Sequence, residues 1–298
     1  MTPPTVPKSF YIFGQNISFS ISPTIHNTGF RHHNLPHTYS IHEISSIDTI
    51  LPLIHDPSFG GASVTMPHKL HVSRFCTKIS ETARAIGAIN TLVVEETVSD
   101  IGERSRVIRG ENTDWSGLHS IISKYQTKSE SQSGEAVKTG LVIGAGGASR
   151  AALYALYKAG IEQIYIVNRT LSTAERVRDH YHRLFPITVL PDLSCLPTKP
   201  EIIIGTIPAE TTTETQFQSL FSGHGCGLCI DMSYKPRQTP LLSAAERCQG
   251  WETVTGVEVL LAQAFDQYTL WTGLEPPKRE MIEVVEGREG SKVLRGVL

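Results

Sequence analysis

The sequence predicts an α/β protein of two domains, and three observations carry that prediction. Residues 9–66 alternate short apolar strand-like runs with helix-like ones, the one-dimensional signature of a sheet with crossover helices. A second alternation starts at Thr139, after a polar stretch at 126–138. A long apolar helical pattern, 256–273, then closes the chain with no strand after it.

In the first alternation, SFYIFG (9–14) reads as a strand. SPTIHNTGFRHH (22–33) reads as a helix with Ser22 as N-cap and Pro23 at its first position. HTYSIHEI (37–44) is strand-like, SIDTILPLIHD (46–56) helical, and GGASVTM (60–66) a strand that stops at Pro67 and then offers Lys69. EETVSDIGERSR (95–106) reads as a loop between two strands, and QTKSESQSGEAVK (126–138) as a flexible connection to a new domain. Then TGLVIGAGG (139–147) is a buried strand ending in glycines. ASRAALYALYKAG (148–160) has helical spacing and a closing glycine, and IEQIYIVNRT (161–170) is a strand, together one βαβ unit. PEIIIGTIPA (200–209) and GLCIDMSY (227–234) are further strands, with helical TAERVRDHYHRLF (173–185) before them. The closing helix predicts a return onto the first domain. The division expected is therefore 1–114 completed by 256–298, with 115–255 as the second domain.

Charge excludes some partners. The 27 basic and 29 acidic residues nearly cancel, leaving no electrostatic footprint for nucleic acid or an anionic membrane. No apolar run has the length of a bilayer span and MTPPTVPKSF lacks a signal-peptide core, so a cytoplasmic location is expected. Five cysteines, an odd number, argue against a disulfide framework. Cys226 and Cys229 form a single C-x-x-C leading into a buried strand, and the histidines of RHHNLPH (31–37) lack a partner at ligand spacing. No metal is therefore expected.

GAGGASRA (144–151) lies between a predicted strand and a predicted helix. Gly144 and Gly146 fill the first two positions of G-x-G-x-x-G, and Ser149 stands at the third. Gly144 permits the tight turn, Gly146 admits a pyrophosphate close to the backbone, and the helix N-terminus through Ala145, Gly147 and Ala148 supplies N–H groups. This predicts a Rossmann-like dinucleotide-binding domain. The next strand ends in Asn168, Arg169 and Thr170 rather than an acidic residue, which suits a ribose 2′-phosphate and favours NADP over NAD.

Several stretches together resemble the shikimate dehydrogenase family, and among its members the shikimate dehydrogenase-like part of the fungal pentafunctional aromatic-pathway polypeptide. They are SFYIFGQNISFSISPTIHN, FGGASVTMPHKL, IGAINT, ENTDWSG, LVIGAGGASRAALYAL, IGTIPAE, DMSYKPRQTPL and GVEVLLAQAFDQYTLWTG, spread over nearly the whole length. The resemblance implies an amino-terminal substrate domain and an NADP-binding domain with a cleft between them. It further implies Lys69 and Asp114 as the catalytic pair, and Ser20 and Ser22 as ligands of the substrate carboxylate. Thr65, Asn90 and Gln263 would meet substrate hydroxyls, Tyr234 would stand near substrate and cofactor, and Gly256 would lie against the cofactor. The chemistry fits these types. Reduction of a ring ketone leaves an oxygen that must gain a proton, which a lysine can relay while a carboxylate orients it.

This chain departs from the family pattern in places. Ser63 stands where asparagine is frequent, Phe19 where histidine is frequent, and Thr173 where a further basic residue often follows N-R-T. The expected activity is NADP-dependent interconversion of 3-dehydroshikimate and shikimate, with NAD as an alternative cofactor. Quinate is the alternative substrate, and a non-catalytic ligand-sensing relative is the alternative of another class. That last reading expects Lys69, Asp114 or the glycine loop to be lost, and all are present. Monomer and homodimer are both compatible with the sequence.

Overall fold

A computed structural model describes residues 6–98, 104–134, 136–222 and 225–289. The chain divides into two compact units, one of residues 1–113 and 263–298, the other of residues 114–262. The sequence reading put its divisions at 114/115 and 255/256. The carboxyl-terminal division falls inside a helix, where composition gives no signal.

The first unit contains β1 (Ser9–Gly14), α1 (Ser22–His32), β2 (Thr38–Glu43), α2 (Leu51–His55), β3 (Phe59–Val64), β4 (Lys78–Ile79), α3 (Glu81–Ile86), β5 (Thr91–Val98) and β6 (Arg104–Glu111). Its six strands form one sheet in the order β2-β1-β3-β5-β6-β4. β1, β2 and β3 run parallel, whereas β5 is antiparallel to both β3 and β6. The sheet is therefore mixed, because β5 and β6 are joined directly and need no crossover. Strand pairing reaches Val98 and Arg104, so the expected loop at 95–106 is much shorter and its tip, 99–103, lies outside the described residues. Cross-strand pairing satisfies the backbone there despite the polar composition.

Phe13, Phe59, Ala62 and Leu92 are fully buried in one cluster of this unit. Burying an aromatic side chain contributes about 1.5–3 kcal/mol, so the aromatic residues of β1 and β3 fix which sheet face looks inward. α3 begins with Ser80, whose hydroxyl accepts from Ala83 N, and ends at Gly87 with φ 70°. This is a side-chain cap followed by a left-handed glycine stop.

The second unit contains α4 (Asp114–Ser133), β7 (Thr139–Ile143), α5 (Gly147–Lys158), β8 (Gln163–Val167), α6 (Leu171–Tyr181), β9 (Thr188–Leu190), β10 (Ile202–Gly205), α7 (Gln218–Phe221), β11 (Gly227–Asp231), α8 (Pro240–Glu246) and β12 (Trp251–Val254). Its sheet is parallel throughout, in the order β12-β11-β10-β7-β8-β9. β10 and β11 are buried at every position, as central parallel strands covered on both faces must be. The polar stretch after Gln126, expected to be flexible, is helical as far as Ser133. Its Gln126, Lys128 and Glu130 are good helix formers, and the Thr127 hydroxyl donates back to Ser123 O at 2.9 Å.

α9 (Gly256–Thr272) and α10 (Lys278–Glu289) complete the chain. α9 opens with a reciprocal cap: Thr255 N donates to Glu258 Oε2 at 2.8 Å, and Glu258 N to Thr255 Oγ1 at 3.4 Å. Within the first unit, Tyr268 of α9 donates its hydroxyl to Gly29 O of α1 at 3.0 Å. A Cβ at Gly29 would lie 2.4 Å from Met281 of α10, so α1 and α10 approach closely at this glycine. No helix among the described residues is long and apolar enough to cross a membrane.

Candidate active site and cofactor cradle

The strand directions of the first unit gather most of the expected substrate residues at one sheet edge. β1, β3 and β6 end where β5 begins, because β5 runs opposite to β3 and β6. Ser20 and Ser22 follow β1, Thr65 and Lys69 follow β3, Asn90 precedes β5, and Thr113 follows β6.

Ser20 and Ser22 are buried, and Ser20 Oγ donates to Ser22 Oγ at 3.2 Å. Ser22 is not the N-cap expected from sequence. Ile21 occupies that position with φ −91°, and the Ser22 N–H is met by Ser20 Oγ at 3.3 Å. The first serine thus caps the helix from one residue further out, and the two hydroxyls sit side by side beside the N–H groups of the first turn.

Thr65 N donates to Phe13 O at 2.8 Å and Gln15 N to Met66 O at 3.1 Å, tying the segments after β3 and β1 together. Lys69 lies in a short 3₁₀ turn, His68–Leu70. Its carbonyl accepts from Ile89 N at 2.9 Å, while buried His68 places Nε2 3.2 Å from Ile44 O. The backbone of Lys69 is therefore held between two strand ends, and its side chain is half-buried.

Asn90 is the centre of this edge. Its Oδ1 accepts from Thr113 N at 2.7 Å, and its Nδ2 donates to Thr113 Oγ1 at 3.0 Å and to Gln263 Oε1 at 3.2 Å. Gln263 Oε1 also accepts from Thr113 Oγ1 at 3.1 Å. Asn112 Nδ2 donates to Ala88 O at 2.9 Å. Asp114, the next residue after Thr113, is buried and opens α4 in the second unit.

In the second unit the parallel strands bring the expected cofactor residues to the carboxyl edge of the sheet: Gly144 to Ala148 after β7, Asn168 to Thr170 after β8, Tyr234 after β11 and Gly256 after β12. Gly144 has φ 116° and a Cβ there would lie 2.4 Å from Thr206 Oγ1, so only glycine fits. At Gly146 a Cβ would meet nothing within 4 Å. That open space, at the start of the twelve-residue helix α5, fits the close approach of a pyrophosphate.

Ser149 explains its own departure from glycine. Its Oγ accepts from Gly146 N at 3.0 Å and meets Thr206 Oγ1 at 2.7 Å, and Thr206 in turn donates to Ile143 O at 2.8 Å. Since Thr206 spends its proton on the carbonyl, Ser149 donates to Thr206, and the hydroxyl pair braces the loop from beneath. Asn168 Nδ2 donates to Thr170 O at 2.9 Å and shapes the turn from which Arg169 and Thr170 are exposed. Tyr234 is half-buried. Gly256 has a packing reason of its own, because a Cβ would lie 2.5 Å from Ser233 O.

Residues 12–92 match the shikimate dehydrogenase substrate binding domain, 127–238 the shikimate/quinate 5-dehydrogenase family, and 256–286 the shikimate 5′-dehydrogenase C-terminal domain. A pentafunctional AROM polypeptide of Malassezia globosa is 40% identical over 281 residues, which are 91% of this chain and 17% of that protein. The chain belongs to the shikimate dehydrogenase family. It spans about a sixth of the length of the curated relatives it matches. A solved dehydroquinate dehydratase and shikimate dehydrogenase from S. pombe AroM is 34% identical with TM-score 0.72, covering 94% of this chain and 53% of that one. A shikimate dehydrogenase solved in complex with NADP+ is 25% identical with TM-score 0.66, covering 95% of this chain and 96% of the other.

Family motifs led to Asn90 and Gln263 but not to what surrounds them. Gln267, Thr91, Ser63 and Tyr39 form a buried hydrogen-bonded series with Asn90. The signal for Gln267 was present: it stands four residues after Gln263 in a helix otherwise apolar on that face. Among the described residues no cluster of His, Cys, Asp and Glu could hold a metal ion. Cys229 is buried in β11, and burial pushes its thiol up, while Cys226 is exposed.

Proposed function

We propose that the chain is an NADP-dependent shikimate dehydrogenase that interconverts 3-dehydroshikimate and shikimate, a step of aromatic biosynthesis, in the cytoplasm. The observation that carries the reading is the collection of Ser20, Ser22, Thr65, Lys69, Asn90 and Gln263 at one sheet edge of a family member. Bound NADP supplies hydride transfer to or from a ring carbon.

Ser20 and Ser22 receive the ring carboxylate with paired hydroxyls at the start of α1. Thr65, Asn90 and Gln263 hold the ring hydroxyls, and Tyr234 supports substrate and cofactor. Lys69 stands at the reacting oxygen, where its ammonium stabilises developing negative charge and gives or takes the proton. Asp114 is the second member of the proposed catalytic pair. Gly144, Ala145, Gly146, Gly147 and Ala148 cradle the pyrophosphate, Gly256 borders the cofactor, and Asn168, Arg169 and Thr170 take the 2′-phosphate.

The test is absorbance at the reduced-nicotinamide band with shikimate and quinate, each paired with NADP+ and NAD+. Shikimate with NADP+ is expected to be fastest. Silence in all four mixtures rejects the enzyme reading, and faster turnover of quinate replaces the substrate.

A further inference from the structure

Two backbone groups fix how the side-chain amides of the first unit are oriented. Asn90 Oδ1 faces Thr113 N at 2.7 Å, so its oxygen is the end turned to that N–H. Gln267 Nε2 faces Asn90 O at 3.4 Å, so its nitrogen is the end turned to that carbonyl. Between them Thr91 Oγ1 accepts from Gln267 Nε2 at 2.8 Å and donates to Asn90 Oδ1 at 2.7 Å. On the far side Gln267 Oε1 accepts from Ser63 Oγ at 2.9 Å, and Ser63 Oγ accepts from Tyr39 OH at 2.7 Å. The Ser63 and Thr91 hydroxyls each accept from one neighbour and donate to the next, so the series from Tyr39 to Asn90 has one polarity. Gln267 and Thr91 are essentially buried.

We propose that Gln267, acting through Thr91, is a positioning residue that sets substrate specificity: it locks the Asn90 amide so that Gln263 turns its oxygen inward and offers its NH₂ end to a substrate hydroxyl. Asn90 Nδ2 and Thr113 Oγ1 both donate to Gln263 Oε1 only while Asn90 keeps Oδ1 toward Thr91 and Thr113 N. Without the Thr91 proton, the Asn90 amide loses one of the contacts that distinguish its two ends, and a flipped amide turns its oxygen, an acceptor, toward Gln263 Oε1, which needs a donor. Ser63 and Tyr39 hold Gln267 from behind. The ligand recognised is a polyhydroxylated ring acid, and the inference rests on the function proposed above.

The experiment is calorimetric titration of shikimate together with steady-state kinetics on wild type, Thr91→Val, Thr91→Ser, Gln267→Met and the Thr91→Val/Gln267→Met double variant. Thr91→Val is expected to weaken shikimate binding and raise its KM about tenfold, with the NADP+ KM unchanged and kcat within about threefold. Thr91→Ser keeps the relaying hydroxyl and restores KM to within about twofold. The double variant is expected to be no weaker than the worse single variant, since both cut the same series. Shikimate affinity in Thr91→Val equal to wild type overturns the relay, as does a loss that Thr91→Ser does not restore or one shared equally by NADP+. Should Gln267→Met fail to fold, the Thr91→Val and Thr91→Ser pair decides alone. Wild type that binds no shikimate rejects the proposed function itself, a result distinct from wild type that binds and a variant that binds equally.

Discussion

Asn90 and Gln263 stand 173 positions apart in the chain, yet Asn90 Nδ2 donates to Gln263 Oε1 at 3.2 Å inside the first unit. α9 therefore supplies a polar group to an edge built from strands laid down more than a hundred residues earlier. Truncation before Gln263 would leave Asn90 and Thr113 with buried polar atoms that lose a partner, a cost of about 1–3 kcal/mol each.

Lys69→Ala tests the proton-handling role. Turnover is expected to fall about 10²-fold or more while shikimate still binds, because the paired serines are untouched and general acid–base catalysis is lost. Calorimetric binding alongside kcat checks it, and near-native turnover would refute the role of Lys69.

The two loop glycines predict opposite phenotypes. Gly146→Ala places a methyl in open space, so the melting temperature is expected to hold while the NADP+ KM rises several-fold. Gly144→Ala puts a side chain at φ 116° and against Thr206, so it is expected to cost about 1–3 kcal/mol of stability before any effect on binding is read. Thermal melts with and without NADP+ separate the two.

Arg169→Gln is expected to raise the NADP+ KM about tenfold or more and leave the NAD+ KM within about twofold, since only the 2′-phosphate loses a cationic partner. Equal effects on both cofactors would count against this residue as the phosphate contact.

Two buried groups give stability opposite dependences on pH. His26 lies stacked on Tyr39 with ring centroids 4.6 Å apart, and burial lowers its pKa from 6.5 to about 3. The neighbouring Gln267 side chain opposes that shift, but neither ring nitrogen completes a hydrogen bond of good geometry, so desolvation wins. Between pH 6.5 and about 3 the unfolded chain binds a proton that the folded chain refuses. Stability is therefore fully present above 6.5 and drains as pH falls through this window. His26→Gln is expected to flatten that dependence in denaturant titrations at pH 4 and pH 7.

Asp231 works the other way. Burial raises its pKa from 3.8 to about 6, against hydrogen bonds from Thr239 and Ser233 N that lower it. Here the folded chain holds the proton between 3.8 and about 6, so stability falls as pH rises through that range and the penalty is constant above it. Asp231→Asn is expected to gain on wild type by about 2–3 kcal/mol between pH 4 and pH 7. A difference between the two proteins that does not change with pH would refute the assignment.

By itself the sequence determined the two strand-and-helix alternations and the glycine loop, because local periodicity and short motifs are written in consecutive residues, while Lys69, Asp114, Ser20 and Ser22 were pointed to by the family resemblance. It misread the helical continuation of α4 to Ser133 and the cap at Ile21, where context overrode composition. Only the tertiary structure decided the antiparallel course of β5 and β6, the bracing of the loop by Ser149 and Thr206, and the series from Tyr39 through Ser63, Gln267 and Thr91 to Asn90. Hydrogen bonds between residues far apart in sequence depend on register and side-chain direction, and neither exists until the sheet has formed around them.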